Sequence, residues 1–255
     1  MQESGLGEQV YSSSMDDIPA SILDLGESET AIDRLTTLCD GADTLSLAVG
    51  YLFVDGLAPL LPKLQKLDRV NLLIGNVVNR LTEEQIQEGQ LDRTGVATDA
   101  DEDMFAKGLR AERDRAAVET ALNLRRTIDA MPRTDENRTL VIELATLIAK
   151  GTVLVRLLTT RRLHAKIALA SFPAGHAKAP GAGIVGSSNL TLAASRAGNV
   201  ERSRWSPDLD VQVEGRKNFE FLNDWFGAHW AEAQDFQKEL FDELGQAWPL
   251  RTVVR

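Results

Sequence analysis

The sequence predicts an α/β fold: a mixed, largely parallel β-sheet flanked by helices, with a helical insertion in mid-chain. Three observations predict it. Two short, nearly continuous apolar runs, LSLAVGYLF (45–53) and VNLLIGN (70–76), bracket a helical stretch in strand–helix–strand order. Residues 81–150 carry helical periodicity and high charge. Three more strand patterns and an aromatic, helix-periodic segment then close the chain.

Residues 1–26 form the expected leader. They are rich in Gly, Ser and acids and hold little to bury. Residues 27–255 form a single domain. Residues 28–40 space Ala31, Leu35 and Leu38 on one helical face, with Ser28 as a candidate cap. Residues 56–67 are helical in short pieces only, because Pro59 and Pro62 interrupt them. Within the insertion, Thr82 caps a helix over 81–89, a long charged helix covers 101–131 up to Pro132, and another covers 135–150. Residues 151–159 and 162–170 read as a strand pair joined by a short turn. GIVGSSN (183–189) and DLDVQVEG (208–215) are further strands. One amphipathic helix over 218–246 follows, with Phe219, Leu222, Trp225, Phe226 and Trp230 at helical spacing, a stripe that reads as core.

Composition narrows the functional classes. No apolar run approaches the roughly 20 residues of a membrane span, and the N-terminus lacks a signal-peptide pattern. The single cysteine, Cys39, excludes an internal disulfide, and a reducing cytoplasm is the expected location. One cysteine and three histidines make a poor zinc set, so no metal and no cofactor is expected. The net charge is −10, yet residues 144–200 contain no acid while holding Lys150, Arg156, Arg161, Arg162, Lys166, Lys178 and Arg196. One locally basic face in an acidic protein suits an anionic ligand. Arg161, Arg162 and Lys178 are its candidate substrate-binding cations.

The tripeptide His-Ala-Lys occurs twice, at 164–166 and 176–178. In the first copy, period two puts His164, Lys166, Ala168 and Ala170 on one strand face, the two polar groups roughly 6–7 Å apart at the backbone, with open space above the alanines. The second copy, between Gly175 and Pro180, reads as a solvated loop. The next strand ends in Gly-Ser-Ser-Asn (186–189), where Ser187 and Ser188 offer hydroxyls and Asn189 an uncharged double donor. Lys166 is a point charge suited to phosphate. Glu201 could hydrogen-bond the His164 imidazole and orient it.

His-x-Lys followed by Gly-Ser-x-Asn and a later Glu resembles the phospholipase D superfamily. LHAKIAL, GIVGSSNLT and GNVE are most similar to its nuclease-like branch. The two N-terminal apolar runs resemble the opening of the phospholipase D-type domains in bacterial restriction proteins and at the front of Swi/Snf-type helicases. The resemblance spans residues 32–230. Where the family has Asp five residues after the lysine, this chain has Ser171.

The resemblance implies metal-independent phosphodiester cleavage of DNA. His164 would attack phosphorus and carry a phosphohistidine. Lys166 and Asn189 would hold the non-bridging oxygens, Ser187 and Ser188 would line the phosphate site, and Glu201 would set the tautomer. The mechanism needs two such halves and the chain has one, so a homodimer would bring two His164 rings together across a shared groove. His176 and His229 have no such setting. A restriction or phage-defence role is implied, with a helicase or ATPase as partner or appended domain, since the chain has no G-x-x-x-x-G-K-S/T loop. The alternative is a catalytically inactive module of the same fold that dimerises and grips DNA. Lipid hydrolysis ranks third, and no membrane partner is expected.

Overall fold

Apolar runs bounded by polar turns settle into one sheet in the computed structural model, which describes residues 21–24, 31–75, 110–161, 163–186 and 209–248. The strands are β1 (Ser21–Asp24), β2 (Thr44–Val49), β3 (Arg69–Gly75), β4 (Val153–Leu158), β5 (Lys166–Ser171), β6 (Gly181–Gly186), β7 (Leu209–Val213) and β8 (Gln234–Asp235). The helices are α1 (Ala31–Leu38), α2 (Leu61–Leu64) after a 3-10 turn at Val54–Leu60, α3 (Arg110–Ala130), α4 (Asp135–Ala149), α5 (Arg216–Glu232) and α6 (Gln237–Ala247). The strand order is β1-β7-β6-β5-β2-β3-β4-β8.

The expected mixed sheet with flanking helices is present, but its parallel share is smaller than the sequence suggested. β2, β3 and β4 run parallel. The pairs β2–β5, β5–β6, β6–β7, β1–β7 and β4–β8 are antiparallel. Continuous apolar runs signal burial on both faces, and burial does not distinguish the two directions once helices cover the sheet. One face of β2 to β6 packs Leu45, Leu47, Leu72, Ile74, Ala168, Ala170 and Ile184 against α1, the 3-10 turn, α3, α4 and α6. The other packs Ala48, Leu73, Leu163, Ile167 and Leu169 under Phe219 and Phe226 of α5.

Several local expectations are corrected. Ser21–Asp24, inside the expected leader, pairs with β7 as an edge strand. The segments 151–159 and 162–170 are not a hairpin: β4 pairs with β3 and β8, and β5 with β2 and β6. The expected helix over 218–246 is two helices. It breaks because Phe236 is fully buried, its N–H bonds to the Val155 carbonyl at 3.0 Å, and Gln234–Asp235 pairs with the edge of β4. No Gly or Pro marks that break between 228 and 244, so periodicity alone runs through it. The helix over 135–150 is found as read, with Thr134 accepting from the Asn137 N–H and Asp135 and Glu136 in the first turn. The 3-10 turn and α2 are the short pieces that the prolines dictate. The long charged helix is present over Arg110–Ala130, while Thr82 and the 81–89 segment lie outside the described residues. Among the described residues, no helix is long and apolar enough to cross a membrane.

Candidate functional site

The carboxyl ends of β2, β3 and β4 meet the amino end of β5 and the end of β6 along one sheet edge. His164 and Lys166 stand on that edge. Lys166 is the first residue of β5, and His164 belongs to the extended approach before it. His164 is exposed and Lys166 half-buried. Lys166 Nζ lies 3.3 Å from His164 Nε2. An ammonium has only protons to offer, so the contact suits the ring tautomer that accepts at Nε2 and carries its proton on Nδ1.

The two side chains share a strand face, as alternation predicts. The expected space above the alanines is absent: Ala168 and Ala170 are buried beneath the helices. They serve as core, and the exposed group is His164 at the strand end.

The β4–β5 connection is built to lie close on the sheet. β2 and β3 lie between β5 and β4 in the sheet, so the connection passes over their ends, where the Leu163 carbonyl lies against Gly75 and Gly50. Thr159 and Leu163 are buried at either end of this crossing. Thr160 Oγ1 donates to Glu232, and Arg161 Nη2 donates to the same carboxylate at 2.5 Å. Burial pushes the Glu232 carboxyl up, but these two hydrogen bonds and the charges of Arg161 and His229 outweigh it and hold the group below the usual carboxylate value. Arg161 is thus tied to α5 beside the site.

β6 ends at the same edge with Gly186. The register pairs Ile167 with Val185, which sets Gly186 opposite Lys166 one step on. Gly186 in turn pairs with Asp210 of β7. A β-carbon on Gly186 would fall 1.6 Å from Asp210 Oδ1. Asp210 is 2% exposed, a buried carboxylate in the row that contains Lys166. The alternation Asp210, Gln212 on a strand otherwise built of apolar residues is the sequence signal that would have found it. Ser187, Ser188, Asn189, Glu201 and Arg162 lie outside the described residues.

The other candidates sit elsewhere. Lys178 follows the far end of β5 in an exposed turn. In that turn His176 stacks on Phe172 at 4.3 Å and accepts the Lys178 N–H at 3.2 Å, so the second His-Ala-Lys is a packed loop. His229 packs against Trp225 within α5, with Nδ1 2.7 Å from the Trp225 carbonyl. Ser171 closes β5 at the end away from His164, about 17 Å from Lys166 at the usual strand rise. Its carbonyl accepts the Asp43 N–H at 2.9 Å. The position where the motif expects Asp is therefore a place of fold contacts.

No protein-family model matches the chain, and no curated protein matches it. Among solved structures, it is similar to Nuc from Salmonella typhimurium, a phospholipase D family member, at 12% identity and a TM-score of 0.43. That match covers 85% of this chain and 98% of the other.

Proposed function

We propose that this protein is a metal-independent phosphodiesterase of the phospholipase D type that cuts DNA. The observation that carries the reading is the His164–Lys166 pair: an exposed imidazole whose Nε2 lies 3.3 Å from an ammonium, at a sheet edge where strand ends gather. A neutral imidazole is a nucleophile, and a fixed ammonium stabilises the charge that builds on phosphate oxygens as it attacks.

In the proposed reaction His164 Nε2 forms a bond to phosphorus while the ester P–O bond breaks. The leaving oxygen takes a proton from a second imidazolium, supplied by His164 of another copy of the chain in a two-fold dimer. Water then attacks phosphorus, the P–N bond breaks, and the second imidazole, now neutral, takes the proton from the water. Lys166 turns from Nε2 to the non-bridging oxygens. Asn189 joins it there, Ser187 and Ser188 line the phosphate site, and Glu201 orients the ring. We place the activity in restriction or phage defence in the cytoplasm, beside a helicase-type partner.

The test is DNA cleavage by the purified chain in excess EDTA, on single- and double-stranded substrates. The double displacement predicts cutting that survives the chelator and retains configuration at a chiral phosphorothioate. Inversion at phosphorus would rule out the histidine intermediate. Binding without cutting would favour the inactive DNA-binding module.

A further inference from the structure

We propose that Gly50 and Gly75 are positioning residues for His164: together they form a seat that lets the β4–β5 crossing lie low enough to put the imidazole beside Lys166. The inference deepens the phosphodiesterase reading and rests on it for the consequence, though not for the geometry.

The two glycines occupy adjacent places at the ends of parallel strands. Val49 pairs with Ile74, so Gly50 and Gly75 come next in the same register. They share a face with Ala48 and Leu73, the face on which Leu163 is buried. Here the chain passes from β4 to β5 over both strand ends. A β-carbon on Gly75 would lie 2.7 Å from the Leu163 carbonyl oxygen and 2.9 Å from the Gly50 carbonyl oxygen. A β-carbon on Gly50 would lie 2.8 Å from the same Leu163 oxygen and 3.5 Å from the α-carbon of His164. The contacted atoms are main chain, so no side-chain rotation relieves them. The crossing itself must rise.

It cannot rise evenly. Thr159 on one side and Ile167 on the other are buried, and Arg161 is held by Glu232. Leu163 and His164, between these anchors, take up the displacement. A shift of about 1 Å in a reacting group can cost about a hundredfold in rate. Lys166, fixed in β5 by pairing with β2, would stay behind. The seat therefore sets the His164–Lys166 separation.

The test compares Gly75→Ala, Gly50→Ala and the double variant with a control, Gly227→Ala, where a β-carbon meets nothing within 4 Å. Two readouts are used on folded protein: kcat and KM for DNA cleavage, and the imidazole NMR resonances, of which there are only three to assign. Each seat variant is expected to lose at least about tenfold in kcat with KM changed by less than about twofold. The His164 resonance should move while His176 and His229 stay. The double variant should lose less than the product of the singles, because both displace one carbonyl. A His164 resonance and kcat unchanged in folded Gly75→Ala and Gly50→Ala would overturn the seat. If the wild type cuts no DNA but the resonance still moves selectively, the seat stands and the phosphodiesterase reading falls.

Discussion

The ammonium of Lys166 stands 3.3 Å from Nε2 of His164, and the two residues come from different local structure: Lys166 from the first position of a strand, His164 from the extended chain before it. The strand fixes the cation and the β4–β5 crossing fixes the ring. If Lys166 stabilises phosphate charge in the transition state, Lys166→Ala should lower kcat by about a hundredfold or more. Lys166→Arg should recover only part of it, since a guanidinium is planar and longer. Steady-state cleavage of a short duplex measures both.

Gly186 and Asp210 make a second prediction. An alanine at 186 would drive its methyl into a buried carboxylate. Gly186→Ala should cost about 2–4 kcal/mol, from overpacking together with displacement of a buried polar side chain. Gly186→Ala with Asp210→Gly should regain much of that. Urea denaturation of the four proteins in the cycle gives the coupling.

The Thr160–Arg161–Glu232 contact makes a third. Glu232 sits below its usual value in the folded chain, so it contributes stability above about pH 4.5, and that contribution is lost as pH falls through the lowered folded value. The carboxylate is partly exposed, so water screens the effect and it is small. Acid unfolding of Glu232→Gln should therefore show a shallower loss of stability below pH 4.5 than the wild type. Equal slopes would mean that the contact does not bias folding.

Cys39 supplies a fourth. Burial pushes its thiol from 9.0 up to about 11, with Lys63 opposing and Asp40 adding to the rise. The raised folded value makes its contribution complete below pH 9 and lost as pH climbs through about 11. The native thiol should resist iodoacetamide at pH 8 and react fully once the chain is unfolded. Mass spectrometry before and after adding denaturant checks it.

The elements that the sequence revealed are those with strong local signals. β2 and β3 follow from apolar runs, α4 from the helical pattern that resumes after Pro132, and the broken helix near 60 from two prolines. The pairing of His164 with Lys166 follows from strand alternation. What escaped depends on contacts distant in sequence. β4 and β5 look like a hairpin until β2 and β3 come between them. The helix after Glu232 ends because Phe236 enters the core, which no neighbouring residue announces. Gly50 and Gly75 looked like ordinary strand ends, and only the chain crossing over them gives them a role. The ion pair of Arg161, a candidate substrate-binding cation, with Glu232 of α5 also joins residues distant in sequence.

The claim at the centre is that the imidazole of His164 does the chemistry. Single-turnover DNA cleavage in EDTA by His164→Ala, beside the wild type, tests it most directly. His164 is exposed, so the variant should keep the wild-type Tm and circular dichroism. The account predicts a loss of at least about a thousandfold in rate. Cleavage by folded His164→Ala at the wild-type rate would contradict it.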